Sequence, residues 1–210
     1  APIDARIEDL LSQMNLNEKT CQMVTLYGYK RVLKDDLPTP EWKQMLWKDG
    51  MGAIDEHLNG FQQWGLPPSD NEYVWPASKH AWALNEVQRF FIEETRLGIP
   101  GFSVAESLHG VVHEGSTIYP QNIAIGSTFN PALAYEMTKH IAGELNTIGV
   151  KQVLAPCIDV ARELRWGRVE ESFSEDPFLC ARMAVAEVKG YMDHGISPMA
   201  KHYGPHGNPL

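Results

Sequence analysis

Cysteine is scarce in this 210-residue chain: Cys21, Cys157 and Cys180, with no CxxC pair among them. That argues against a zinc ribbon or a dense disulfide scaffold and allows one disulfide at most. It leaves the compartment open between periplasmic or secreted and cytoplasmic. Basic side chains are also few, 18 Lys and Arg against 27 Asp and Glu, for a net charge of −9. A nucleic-acid or anionic-membrane surface needs a basic face, so neither partner is expected. No apolar run approaches the ~18 residues of a membrane span. Ala1-Pro2-Ile3-Asp4 lacks the charged start and apolar stretch of a signal peptide, though a removed leader would leave such a terminus. A GxxxxGKS/T phosphate loop and a GxSxG nucleophile elbow are both missing. What is present, 43% hydrophobic and 10% aromatic residues, is a globular composition with length for one domain or two small ones.

The first fifty residues read as a helical arm. Ile7, Leu10, Leu11 and Met14 recur at helical spacing, Asn17 is placed to cap a second short helix, and Pro40-Glu41-Trp42 opens a third. From residue 51 the pattern changes. Short apolar runs at 51–54, 102–105, 150–155 and 196–200 read as strands. Helices fall between them: 79–96 with Ser78 as cap, 131–148 after Asn130, and 177–194 after Asp176. Long, irregular loops follow the strands, and short turns follow the helices. This βα alternation predicts a parallel α/β fold whose site lies at the C-terminal strand ends. By itself it does not separate a doubly wound sheet from a (β/α)8 barrel, although the long loops favour the barrel. Four strands fall short of the eight, in about 250 residues, that a barrel needs.

The loops after the strands carry the polar chemistry. Glu106 follows the second strand. Asp159 and the run Arg162-Glu163-Leu164-Arg165-Trp166-Gly167-Arg168-Val169-Glu170-Glu171 follow the third, and Lys201-His202 ends the fourth. Forked arginines, carboxylates and a tryptophan face suit a ligand rich in hydroxyls, although some of these groups must be structural. His109/His113 and His202/His206 have the i, i+4 spacing of zinc ligands. Neither pair has the HExxH glutamate, and Gly or Pro interrupts the helix that would align them, so no metal is expected. No cofactor is expected either. Trp64 and Trp75 flank a Pro/Gly-rich loop as candidate sugar platforms, whereas Trp42, Trp47 and Trp82 read as core.

The ordered set of motifs resembles the N-terminal barrel domain of glycoside hydrolase family 3, the β-glucosidase and β-xylosidase group. It runs from Arg6-Ile7-Glu8-Asp9-Leu10-Leu11 through Asn17-Glu18-Lys19 to Arg96-Leu97-Gly98-Ile99-Pro100. Glu106-Ser107-Leu108-His109-Gly110, Tyr119-Pro120-Gln121 and Phe129-Asn130-Pro131 come next. Val153-Leu154-Ala155-Pro156, Arg165-Trp166-Gly167-Arg168, Glu175-Asp176-Pro177 and Ala200-Lys201-His202-Tyr203 complete it. Each motif is weak alone, and the order and spacing across most of the chain are specific.

The resemblance implies a retaining, exo-acting glycosidase that removes a terminal β-D-glucosyl or xylosyl residue from the non-reducing end of an oligosaccharide or glycoside. It makes Glu106, Arg168, Lys201 and His202 sugar-binding residues. Glu171 supports them, and His109, Arg165 and Trp166 lie in the matching motifs. Many relatives have aspartate where this chain has Glu106, which bears on glucoside against xyloside. A β-N-acetylhexosaminidase branch has a Lys-His-Phe-Pro-Gly-His-Gly loop, and Gly204-Pro205 departs from it. In the family the nucleophilic aspartate comes from a later strand and the acid/base residue from a further domain. Both are therefore expected beyond Leu210, and no catalytic residue is expected within the 210 residues. The expectation is residues 1–50 as helical arm and 51–210 as about four βα units of a TIM-type barrel, incomplete at the C-terminus. Such a chain holds the sugar-binding half of a pocket without either catalytic carboxylate and is inactive alone. Its partners are the remaining barrel and a C-terminal domain, or self-association over the open sheet edge. The alternative from another class is a non-catalytic carbohydrate-binding or assembly module built on the same domain.

Overall fold

The computed structural model describes residues 1–27, 47–55, 76–113, 115–204 and 206. The expected helix at Pro40-Glu41-Trp42, the Trp64/Trp75 loop and Leu210, the expected limit of the sugar-binding half, lie outside the described residues. Helices α1 (Ile3–Gln13) and α2 (Leu16–Gln22) open the chain. The cap of α2 is Asn15, two residues before the expected Asn17. The Asn15 side chain accepts from Glu18 N at 3.0 Å while Asn15 N donates back to Glu18 Oε2 at 2.9 Å. That reciprocal pair needs a three-residue spacing to the glutamate, which only Asn15 has. Glu18 is buried and also accepts from Arg96 Nε at 2.7 Å, so the arm is tied to the end of a distant helix. Those Arg96 bonds hold its carboxyl below the usual range.

Five parallel strands form one sheet: β1 (Thr25–Tyr27), β2 (Ala53–Asp55), β3 (Phe102–Ala105), β4 (Gln152–Val153) and β5 (Ser197–Pro198). That is one strand more than the four expected, because β1 lies in the stretch read as wholly helical. It has three residues and no alternation of its own, and it exists by pairing Thr25 with Ala53 and Leu26 with Ile54. The strand order, β1-β2-β3-β4-β5, is the chain order. A doubly wound sheet reverses order at a switch point. This one does not, which is the winding of a (β/α) barrel. Among the described residues β1 and β5 each have one neighbour, so the arc is open.

The crossover helices are α3 (Ala77–Glu94), α5 (Pro131–Ile148) and α6 (Pro177–Met192), with the short α4 (Asn122–Gly126) ahead of α5. Asn130 and Asp176 cap α5 and α6 as expected, accepting from Leu133 N and from Phe178 and Leu179 N. Ser78 does not cap α3; the helix starts at Ala77, with Pro76 at its cap position. Helices α5 and α6 pack tightly. A Cβ at Gly190 would fall 1.9 Å from Thr138 Oγ1, so only glycine permits this approach. Their inner faces (Met137, Ile141, Leu145, Met183, Tyr191) close on Val153 and Ile196. A second cluster joins Trp47, Met51, Ile54, Val87, Phe90 and Phe91, with Trp47 and Phe91 ring centroids 5.2 Å apart. Trp47 is core as expected. Trp82 is 50% exposed, because the buried positions of α3 (His80, Ala83, Leu84, Val87) put it on the outer face. Among the described residues no helix is long and apolar enough to cross a membrane.

Candidate functional site

Three strand ends converge. Glu106 is the first residue past β3. Past β4 and β5 the ladder continues through a bridge between Cys157 and Lys201, with Ile158 N donating to Lys201 O at 2.6 Å and Lys201 N to Pro156 O at 2.9 Å. This pairing fixes the Lys201 backbone beside Asp159. The loop after β4 then brings in Arg168, at the start of a short 3-10 turn over Val169–Glu171. The loop is seated by Gly126 of α4, where a Cβ would lie 1.9 Å from the Phe173 carbonyl.

The side chains form one ion pair and one longer chain of contacts. Lys201 Nζ is 2.7 Å from Glu106 Oε1. Arg168 grips Glu171 as a fork, Nε to Oε1 at 2.7 Å and Nη2 to Oε2 at 2.6 Å, and that grip raises its own pKa. Its remaining nitrogen, Nη1, lies 3.2 Å from His202 Nε2. A guanidinium can only donate, so Nε2 accepts and the proton sits on Nδ1. That Nδ1–H meets Asp159 Oδ2 at 2.7 Å, and the same oxygen accepts from His202 N and from the Cys157 thiol. Burial pushes the Asp159 carboxyl up, but these donors outweigh it and hold it below the usual range. Burial, then the Asp159 contact, pushes the Cys157 thiol up to about 12.

The structure thus brings together Glu106, Arg168, Glu171, Lys201 and His202, and it places the other expected residues differently. His109 Nδ1 meets the Tyr119 carbonyl at 2.9 Å, tying down its own loop. Arg165 turns outward to fork Glu163. Trp166 is buried and its ring meets that of His206 at a tilt, 5.5 Å away, and the His206 ring lies 4.3 Å from His202. Asp159 and Cys157 complete the site; the sequence marks Asp159 as a polar group just past a strand but not as a partner of His202, and it gives Cys157 no role. The signal for Asp159 is its place just past a strand, the same one that picks out Glu106.

Cys157, Asp159 and His202 place potential metal-ligating atoms within 4.8 Å of one another. Asp159 Oδ2 is already engaged by the His202 Nδ1–H and the Cys157 thiol, and burial holds that thiol's pKa well up, so the trio reads as a hydrogen-bonded set. Ammonium and guanidinium groups donate to hydroxyl oxygens, and Glu106 accepts from hydroxyl hydrogens. Asp159 and Glu171 are both occupied as acceptors and are poorly placed to carry protons for a reaction.

A strand-ordered parallel arc with its polar Lys/Arg/Glu/His cluster at the C-terminal strand ends defines a domain of the (β/α) barrel type. The chain belongs to glycosyl hydrolase family 3: the model of that family's N-terminal domain matches residues 16–209. It is 42% identical to a β-xylosidase of Formosa agariphila over 51% of this chain and 17% of that protein. It is 25% identical to β-glucosidase C of Emericella nidulans over 99% of this chain and 33% of that protein. The crystal structure of a β-glucosidase from Listeria innocua superposes with a TM-score of 0.75 at 26% identity, over 97% of this chain and 27% of that one. The chain therefore spans a third or less of each of these relatives, and its sheet is the first part of the barrel.

Proposed function

We propose that this chain is the sugar-holding half of a retaining, exo-acting β-glycosidase acting on terminal glucosyl or xylosyl residues. The observation that carries the proposal is the convergence of Glu106, Lys201, His202 and Arg168 from separate strand ends into one partly open cluster. Retaining hydrolysis needs two carboxyl groups about 5–5.5 Å apart, one nucleophilic and one protonated. The cluster's carboxylates are all engaged, Glu106 by Lys201, Glu171 by Arg168 and Asp159 by His202, which suits neither role. In this reading both catalytic carboxylates come from chain beyond Leu210, and the remaining barrel, a further domain or self-association covers the open sheet edge. Glu106 reaches one methylene farther than an aspartate, so it sets the depth at which the sugar hydroxyls are read.

The test is glucose and xylose binding by calorimetry, alongside turnover of p-nitrophenyl β-glucoside and β-xyloside. The 210-residue chain is expected to bind sugar without turnover, and Lys201→Ala to abolish binding. The longer protein that carries it is expected to hydrolyse one of the two glycosides. Robust turnover by the 210 residues alone would overturn the assignment of the carboxylates to chain beyond Leu210. Binding without turnover in the longer protein would favour a non-catalytic carbohydrate-binding module.

A further inference from the structure

The loop that carries Glu106 is anchored from the helix layer. The ladder carries β3 as far as the Ala105 carbonyl, which accepts from Leu154 N at 3.1 Å. Beyond it, Val112 N reaches the Glu106 carbonyl only at 3.5 Å. The short bond comes from α6, where the Tyr191 hydroxyl donates to the Ser107 carbonyl at 2.6 Å across 84 residues of sequence. Tyr191 and Ser107 are both fully buried.

Resting on the sugar-pocket reading above, we propose that Tyr191 is a positioning residue for sugar binding, its hydroxyl holding the peptide next to Glu106 so that the carboxylate meets Lys201 and the ligand together. The phenol is a dependable donor, because burial pushes its pKa well above the usual phenol range. One helical turn earlier on α6, Glu187 is also fully buried, and burial pushes its carboxyl well above the usual carboxylate range. A buried carbonyl that loses its donor has no water to replace it. The Ser107 peptide would then turn, and Glu106, its immediate neighbour, would turn with it.

The test is a double-mutant cycle on glucose affinity in the intact protein that carries this chain. Tyr191→Phe is expected to weaken glucose binding about fivefold, the order of one lost net hydrogen bond. In a Glu106→Gln background the same change is expected to add little, because no carboxylate is left to position. Unchanged glucose affinity in Tyr191→Phe alongside a lowered melting temperature would overturn the proposal and leave Tyr191 a structural residue. Fully additive effects would overturn it too. If Glu106→Gln alone leaves glucose affinity unchanged, the pocket reading has failed and takes the proposal with it. Should Tyr191→Phe not fold, the α-hydroxy acid analogue of leucine at position 108 turns the Ser107 carbonyl into an ester, a weaker acceptor, with every side chain intact. Weakened glucose binding is expected from it, and unchanged binding would overturn the proposal.

Discussion

One oxygen of Asp159 holds His202 twice, accepting the ring Nδ1–H at 2.7 Å and the backbone N–H at 3.2 Å. The first bond fixes the tautomer and the second fixes the chain, so one carboxylate sets how His202 presents Nε2 to Arg168. Asp159→Asn keeps the shape and loses the charge. It is expected to weaken glucose binding about tenfold and stability by roughly 1–3 kcal/mol, the cost of breaking charge-assisted bonds in a buried place. Calorimetry and urea unfolding check the two effects separately.

The same carboxylate predicts an acid limit. Its folded pKa is depressed, so the stability it contributes is present above the unfolded value of about 3.9 and is lost as pH falls through the lower folded value. Sugar binding is expected to decline over that acid range in the wild type. A site whose affinity is flat there would mean that the Asp159 charge does not matter to the ligand.

Arg168→Lys tests whether charge alone suffices. A lysine keeps the positive charge but cannot make the two-pronged contact with Glu171 while also reaching His202. Loss of glucose affinity by about tenfold is expected, with a melting temperature within a few degrees of wild type because the pair is only partly buried. Equal affinity in the two proteins would show that the fork is dispensable.

Much of this fold is legible in the sequence, and the exceptions share a cause. The caps at Asn130 and Asp176 are legible because cap chemistry is local, as is the alternation that gives α5, α6 and the strand between them. Thr25–Tyr27 is not legible, since three residues following a short helix carry no periodic signal and become a strand only through β2. Adjacency to the helix favours Asn17 as its cap, but the capping box depends on the spacing to Glu18, which selects Asn15. Trp82 reads as core when its residue type is weighed without its helical face. At the site, Glu106, Lys201 and His202 stand out at strand ends. Asp159 stands at one too, but its role depends on the path of a chain 43 residues later.

Away from the site, His80 predicts a pH-dependent stability. Burial, then the neighbouring His113 ring at 4.5 Å, lowers its pKa to about 3. The unfolded chain protonates it near pH 6.5, so between those values the unfolded state holds the extra proton. Stability is therefore expected to fall as pH drops below about 6.5, at a slope approaching 1.4 kcal/mol per pH unit from this group. His80→Leu removes that slope. Urea midpoints from pH 7.5 down to 4.5 should converge between variant and wild type if the variant is the less stable at neutral pH. Parallel curves would mean that His80 is already protonated in the fold.

Gly126 offers a way to disturb the site without touching it. A methyl there would meet the Phe173 carbonyl at 1.9 Å, far inside contact distance, and that carbonyl belongs to the segment directly after Glu171. Backbone on both sides leaves no flexible side chain to yield. Gly126→Ala must therefore push the 3-10 turn away from α4, at a cost of about 1–3 kcal/mol typical of overpacking. Because Arg168 begins that turn and Glu171 ends it, the shift carries the Arg168 fork off His202 while Glu106, just past β3, and Lys201, bridged to Cys157, stay in place. The expected outcome is a partial loss of sugar affinity, smaller than that of Lys201→Ala, and no further loss when Arg168→Lys is added. Full additivity with Arg168→Lys in calorimetry would show that α4 does not hold the turn.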